Sequence, residues 1–373
     1  MRVAILHNQD FTHLPPGLSR NSQDAILGVA TAVEAALRAR GATVQVMPLS
    51  TDPVSFAPEF VLHRPDVVVN LCESLGGDSR GEMLVPGLLD LLGLPYTGSG
   101  PLALALALHK HKAKEILRGC GVPTPAHCVV RELADLEGLE IALPVIVKPA
   151  HEDASIGIDR DSVVRDRKDL AAACERILFG LNQPAIVEQY IEGREIYVSF
   201  LGAPPEPLPL SEIDFEKLDP AHPRIVTYAA KWDTAAPEFH HTPSVACTLP
   251  PELERKVVTA ARSAFHALEC RDYGRVDMRL SAAGEPYVIE VNPNCDLSPD
   301  AGYVRAAKLA GLDYEELVWR LVEVAQERSA DGHQAAEAGR PGAARANARA
   351  DRSVHGARGG VRARAGRPGA REA

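Results

Sequence analysis

Gly274-Arg-Val-Asp-Met-Arg-Leu280, a Ser-Ala-Ala-Gly turn, and Glu285-Pro-Tyr-Val-Ile-Glu-Val-Asn292 read together as a β-hairpin with alternating character on both arms. Glu290 and Asn292 stand two residues apart, so they share one face of their strand. Asp277 sits on the other arm, where strand pairing brings it near them. Two carboxylates and one amide oxygen converging on a face are hard donors, the set that suits Mg²⁺ (or Mn²⁺) with nucleotide phosphates as further ligands. The alternative is a solvated polar face on an edge hairpin.

Working back along the chain, the strand-like run Leu143-Pro-Val-Ile-Val147 ends at Lys148. A lysine at the end of a buried strand needs a partner, and a phosphate is the obvious one. The small polar loop that follows, Ala150-His-Glu-Asp-Ala-Ser-Ile-Gly157, has backbone N–H groups to fold over the same phosphates, with Ser155 among them. Further on, Ala185-Ile-Val-Glu-Gln-Tyr-Ile191 leads through Glu192-Gly-Arg-Glu195 into the strand Ile196-Tyr-Val-Ser-Phe-Leu201.

Taken in order, these segments resemble the ATP-grasp superfamily, and most closely its D-alanine–D-alanine ligase group. The likeness runs from about residue 65 to 325. It includes the loop Gly76-Gly-Asp-Ser-Arg-Gly-Glu82 and the run Gly87-Leu-Leu-Asp-Leu-Leu-Gly-Leu-Pro-Tyr-Thr-Gly-Ser-Gly100. The helix His109-Lys110-His-Lys-Ala-Lys114 matches the group's D-K-x-x-x-K with His109 in place of the Asp, and Gly121-Val-Pro-Thr-Pro125 follows it. The resemblance implies an ATP-grasp fold of α/β and α+β parts, in which an amino-terminal parallel α/β domain accompanies two α+β subdomains enclosing ATP.

It also implies roles. Lys110 and Lys148 would contact the nucleotide phosphates. Glu188 and the backbone of Gln189 to Ile191 would meet the adenine, and Glu195 the ribose. Lys231, in Tyr228-Ala-Ala-Lys-Trp232, matches a mobile-loop lysine that closes over the γ-phosphate. Arg275 matches the arginine that stabilises the tetrahedral oxyanion. Asp277, Glu290 and Asn292 match the Mg²⁺ ligands. The activity implied is ATP-dependent joining of a carboxylate to an amine through an acyl-phosphate. Phosphoryl transfer of this kind is mainly positioning and charge neutralisation.

The departures from the group all lie on the substrate side. A G-x-S-x-E motif, whose Glu grips the first amino acid's ammonium, is replaced after Val3-Ala-Ile-Leu6 by His7-Asn-Gln-Asp10. L-H-G becomes Leu71-Cys-Glu73, and N-T-x-P-G becomes Asn292-Pro-Asn-Cys-Asp296. Asp24 and Glu73 are the nearest substitutes for the missing acid. Glu73 is the stronger of the two, because ligands in parallel α/β sheets gather at the carboxyl ends of strands. It joins Arg275 and Lys231 as a candidate catalytic residue. Either residue is equally readable as a surface acid at a helix start or in a loop.

Composition fits an enzyme of this kind. The chain has 373 residues with 46% hydrophobic, enough for two or three domains. Seven cysteines without C-x-x-C pairs indicate neither a disulfide framework nor a zinc site. The chain opens directly on a strand, and its longest apolar run, Pro101 to Leu108, is too short for a bilayer. A cytoplasmic protein is expected, with that run as the buried first turn of the Lys110 helix. The expected units are 1–103, an α/β domain; 104–184, around Lys148; 185–328, holding the metal hairpin and ending in a helix through Tyr314 to Gln326; and a tail, 329–373. The tail has nine Arg against four acidic residues, a net +5, which leaves −15 on the rest of a chain whose total is −10. With almost no large apolar residue it is expected to stay unfolded. Partners are expected to be amino acids rather than nucleic acid or membrane, with a homodimer through the first domain favoured by the resemblance. A binding protein without turnover stays open beside the ligase, as does the identity of the amino acids joined.

Overall fold

Three sheets organise the molecule, and the hydrophobic pattern of each strand decides which. β1 (Arg2–Asn8) carries an unbroken buried run and lies at the centre of a three-stranded parallel sheet, between β2 (Thr43–Leu49) and β3 (Val67–Asn70). Continuous apolar strands of this kind must be covered on both faces. One face packs on α1 (Asn21–Ala39), the other on α2 (Leu84–Leu92) through Val85 and Leu89. The computed structural model describes residues 1–9, 21–49, 58–60 and 62–338. The Asp24 side chain and the chain from residue 339 lie outside the described residues.

The run Pro101 to Leu108 does not continue into the lysine helix. It forms a separate helix, α3 (Pro101–Leu108), and α4 (Lys110–Gly119) starts afresh after His109, whose φ and ψ of −82° and 76° are not helical. The Lys110 amide donates across to the carbonyl of Ala150, so the stretch after Pro149 competes with the helix for it. The second sheet is antiparallel, in the order β4 (His127–Val130), β7 (Ala185–Gln189), β5 (Val145–Pro149), β6 (Val163–Val164). α5 (Leu170–Gly180) covers its outer face through Ala173, Cys174 and Ile177.

The third sheet runs β11 (Ser244–Ala246), β10 (Ser211–Ile213), β8 (Gly193–Gly202), β12 (Asp272–Ser281), β13 (Pro286–Asn292), with β9 (Glu206–Pro207) also on β8. The short helices α6 (Tyr228–Trp232) and α7 (Pro237–His241) lie between β10 and β11 in the chain. α8 (Pro251–Ala267) packs its Val257, Ala261 and Phe265 under Val276, Met278 and Val291. The hairpin expected from sequence is β12–β13, but its second arm does not alternate throughout. Asp277 pairs with Glu290 while Met278 pairs with Val288, so Ile289 is an extra residue, a β-bulge.

The chain closes with α9 (Gly302–Leu309) and α10 (Tyr314–Ala338). Leu317, Val318 and Leu321 of α10 pack in one core with Val3 and Val69 of the first sheet, so the carboxy-terminal helices return to the amino-terminal strands. Residues Met1–Ser329 form one compact unit. α10 also runs ten residues into the stretch read as tail. Among the described residues no helix is long and apolar enough to cross a membrane, and all seven cysteines are free thiols.

Candidate active site

The inner faces of the second and third sheets carry the polar residues that their outer faces lack. On the third sheet the register puts Arg275 opposite Asn292 and Asp277 opposite Glu290 on β13. The same strand puts Asp277 opposite Tyr197 and Arg279 opposite Glu195 on β8. Directly opposed residues share a face, so these seven side chains form one polar surface above the apolar floor of α8. Gly274 makes the close pairing tolerable. A Cβ there would lie 2.8 Å from the Asn292 carbonyl oxygen and the same distance from the Phe265 ring.

Ion pairs run through this surface. Arg275 grips Asp277 with Nε and Nη2 at 2.5 and 2.8 Å, and its guanidinium lies 4.4 Å from the centre of the Tyr197 ring. Asn292 Nδ2 donates to the same carboxylate at 3.1 Å. Glu290 pairs with Lys110, which also holds Asp153 at 3.1 Å. Burial opposes the Glu290 charge, but Lys110, with Lys148 and Lys231 behind it, holds the carboxyl down at about 2. Asp277, Glu290 and Asn292 are thus brought together as hard oxygen donors, with both acids carrying basic counter-ions.

In the second sheet Lys148 lies against a protein carboxylate. Glu188, 1% exposed, has its Oε2 3.0 Å from Lys148 Nζ and 3.2 Å from Lys114 Nζ. A carboxylate so deep would resist ionisation, yet the two ammoniums keep it below its usual range. Neither contact has hydrogen-bond geometry. Two ammoniums therefore share one carboxylate. Burial also pushes Lys114 down to about 8 against the pull of Glu188.

The remaining candidates are engaged as well. Glu195 accepts from Arg279 and from the Tyr197 hydroxyl, both at 3.0 Å. Of the linker amides, Gln189 donates to Ala126 and Tyr190 to Pro144, while Ile191 N–H has no partner among the described residues. An unpaired N–H in a buried residue is rare and marks a place for a ligand. Ser155 Oγ donates to the Val226 carbonyl at 2.9 Å. With Ala154 and Ser155 at φ of 55° and 61°, this loop is held in the left-handed region by its neighbours. The Tyr228 amide on the Ile158 carbonyl and the Trp232 indole on the Ala154 carbonyl complete a closed seam between the loop and the Lys231 segment.

Lys231 itself makes no ion pair among the described residues. Its charge acts on Glu73, Asp153 and Glu290. Glu73 is open to solvent but lies in a cleft crowded with protein, its carboxylate without a hydrogen-bonding partner among the described residues. The crowding, then Asp296 and Asp153, raise it to about 8 against the pull of Lys231.

Residues beyond those assigned roles also belong here. Asn294 donates to Glu82 Oε1 at 2.8 Å and to the Cys72 carbonyl at 3.0 Å, and accepts from the Tyr273 hydroxyl. Burial raises the Glu82 carboxyl well above its usual range. Lys114, Asp153 and Asn294 all stand within the motifs quoted from sequence, which was the available signal. Their partners come from distant strands, which it could not supply. Cys72 and Cys295 are buried, and burial holds both thiols high, Cys295 at about 12, so neither is poised as a nucleophile.

Two antiparallel sheets facing each other across a layer of lysines and carboxylates, with a parallel α/β domain beside them, define the ATP-grasp class. Comparison with known proteins narrows this. Residues 120–323 match the family model described as D-ala D-ala ligase C-terminus. The uncharacterized protein y4sG of Sinorhizobium fredii is 37% identical over 276 residues, covering 73% of this chain and 78% of that protein. The D-alanine–D-alanine ligase of Nitrosospira multiformis is 34% identical over 254 residues, covering 68% and 78%. The solved structure of D-alanine–D-alanine ligase from Bacillus anthracis complexed with ATP is 25% identical, with a TM-score of 0.68 over 89% of this chain and 99% of that one. The chain belongs to the D-alanine–D-alanine ligase family and is an ATP-dependent ligase of that type, forming carbon–nitrogen bonds.

Proposed function

We propose that the protein joins two amino acids at the expense of ATP, as a D-alanine–D-alanine ligase or a close relative acting on other amino acids. ATP lies between the second and third of the units read from sequence, 104–184 and 185–328. Lys231 carries this reading. It is an ammonium without an ion pair among the described residues, acting on both the Glu290 end of the cleft and the Glu73 end, where a γ-phosphate and an amino-acid carboxylate must meet.

The residues divide the work. Lys148, Lys110 and Lys231 offset the repulsion between triphosphate and carboxylate. Asp277, Glu290 and Asn292 fit a divalent cation, Mg²⁺ or Mn²⁺, since all three present oxygens on one face and Lys110, the partner of Glu290, can turn to phosphate instead. Such a cation, when bound, supplies charge neutralisation on the phosphates. The substrate carboxylate takes the γ-phosphoryl group from ATP and ADP leaves; the second amino acid's neutral amine then attacks the acyl carbon, expelling phosphate and losing one proton. Arg275 faces that centre as the donor to the oxyanion. The seam of Ser155, Tyr228 and Trp232 excludes water from the acyl-phosphate. Across a panel of D- and L-amino acids, ADP should form only when an accepted pair is present. ADP formation indifferent to amino acids would favour a nucleotide-binding protein without ligase turnover.

Glu73 is the proposed site for the substrate ammonium. A carboxyl held at about 8 is largely neutral at pH 6.5 and ionised at pH 9. An ammonium needs the ionised form, so the amino-acid KM should fall as pH rises through 8. Glu73→Gln should abolish that dependence and raise KM about tenfold at the high end, a charge-assisted hydrogen bond being worth roughly 1.5–3 kcal/mol. ATP affinity should not change. A KM profile identical to that of the parent enzyme would remove Glu73 from the ammonium site.

A further inference from the structure

Arg279 has no role in the account above, and its surroundings give it one. It is buried on the inner face of the third sheet, two residues beyond Asp277. Four of its five N–H donors are matched. Nε donates to the Ile191 carbonyl at 2.9 Å, Nη1 to Glu195 at 3.0 Å and to the Arg224 carbonyl at 2.9 Å, and Nη2 to the Tyr190 hydroxyl at 3.4 Å. Its guanidinium also lies 5.4 Å from the Tyr190 ring centre.

These partners come from three segments. Tyr190 and Ile191 form the linker between the second and third sheets, and the free Ile191 N–H belongs to it. Glu195 is the proposed ribose acceptor. Arg224 precedes Ile225, which packs on Ile146 and Tyr190, and this stretch leads into α6 and Lys231. Tyr190 Oη donates to the same Arg224 carbonyl at 3.2 Å. Charge balance for Glu195 would need one ammonium. It would not need a planar fork whose other donors go to two neutral carbonyls.

We propose that Arg279 is a positioning residue that fixes the Ile191 amide, the Glu195 carboxylate and the segment leading to Lys231 in one frame for the nucleotide. The proposal rests on the nucleotide reading of this cleft. Fixing the Ile191 carbonyl also fixes the direction of the linker's unpaired N–H. Fixing the Arg224 carbonyl docks the Lys231 segment against the linker, so that base, ribose and γ-phosphate contacts are set together.

The test uses the full chain and two variants. Arg279→Lys keeps a charge beside Glu195 but cannot span both carbonyls. It should fold and raise the KM for ATP about tenfold. The amino-acid KM should stay as it was, and amide exchange over residues 222–232 should speed up. Arg279→Met should show the same pattern more strongly if it folds. An ATP KM and an exchange rate in Arg279→Lys equal to those of the parent overturn the proposal. So does a lowered melting temperature with ATP and amino-acid KM rising together, the mark of a merely structural residue. Failure of the parent protein to bind ATP by calorimetry overturns the nucleotide reading and the proposal with it. ATP binding by the parent with an unaffected lysine variant overturns the role of Arg279 alone.

Discussion

Glu290→Gln should lower kcat by about a thousandfold while the protein melts as before. The amide keeps the shape of the side chain, and Lys110 keeps its second partner, Asp153, at 3.1 Å. What is lost is one negative oxygen, a proposed cation ligand, on the face shared with Asp277 and Asn292. Charge stabilisation by a bound cation is worth several kcal/mol, and about 1.4 kcal/mol is tenfold in rate. Because the Lys110 pair holds this carboxyl at about 2, it is ionised throughout any assayable pH range, and no limb of the pH–rate profile should belong to it. Raising Mg²⁺ should recover part of the loss. Turnover near that of the parent at ordinary Mg²⁺ would take Glu290 out of the cation site.

The second large effect is expected at Arg275. Two of its five N–H donors hold Asp277, and the side chain is braced on the Tyr197 ring. That leaves N–H groups on a preorganised plane for the oxyanion of the tetrahedral intermediate. Arg275→Lys retains the charge but loses the fork and its brace. A fall in kcat of about a hundred- to a thousandfold is expected, as for other lost oxyanion donors, with little change in ATP affinity. Single-turnover phosphate release separates this from slow product departure. If chemistry proceeds at the parent rate, Arg275 serves only to neutralise Asp277.

What could be read from sequence was whatever a residue declares through its neighbours in the chain. The hairpin was legible because a Gly-containing turn separates two arms of polar residues at period two. The parallel first sheet was legible from Val3–Leu6 and Val67–Val69, runs too apolar for any other place. The counter-ions were not legible. Glu188 meets Lys148 only because β5 and β7 pair with Ile146 opposite Glu188, and no local pattern encodes that register. The same holds for Lys110, read as a phosphate contact and found between Asp153 and Glu290. His109 gave no local sign of a break, since the capture of the Lys110 amide by Ala150 is a tertiary event. The reach of α10 across to the first sheet is likewise invisible to periodicity, which shows that a helix has an apolar face but not what covers it.

The bulge at Ile289 has a consequence for how this site tolerates change. From Val288 onward a regular strand would turn Glu290 into the floor with Val288 and leave Val291 in the open. The surplus residue shifts the phase once, and Glu290 and Asn292 come up facing Asp277 and Arg275 while Val291 returns to the apolar side. The proposed ligand set therefore depends on an irregularity of the strand as much as on its letters. Ile289 contributes a backbone carbonyl to Lys114 and one step of spacing, and many side chains would serve there. Straightening the strand with Ile289 kept is another matter: every letter would survive, and the two proposed ligands would face the floor, whereas without Ile289 a regular strand would still hold them toward Asp277.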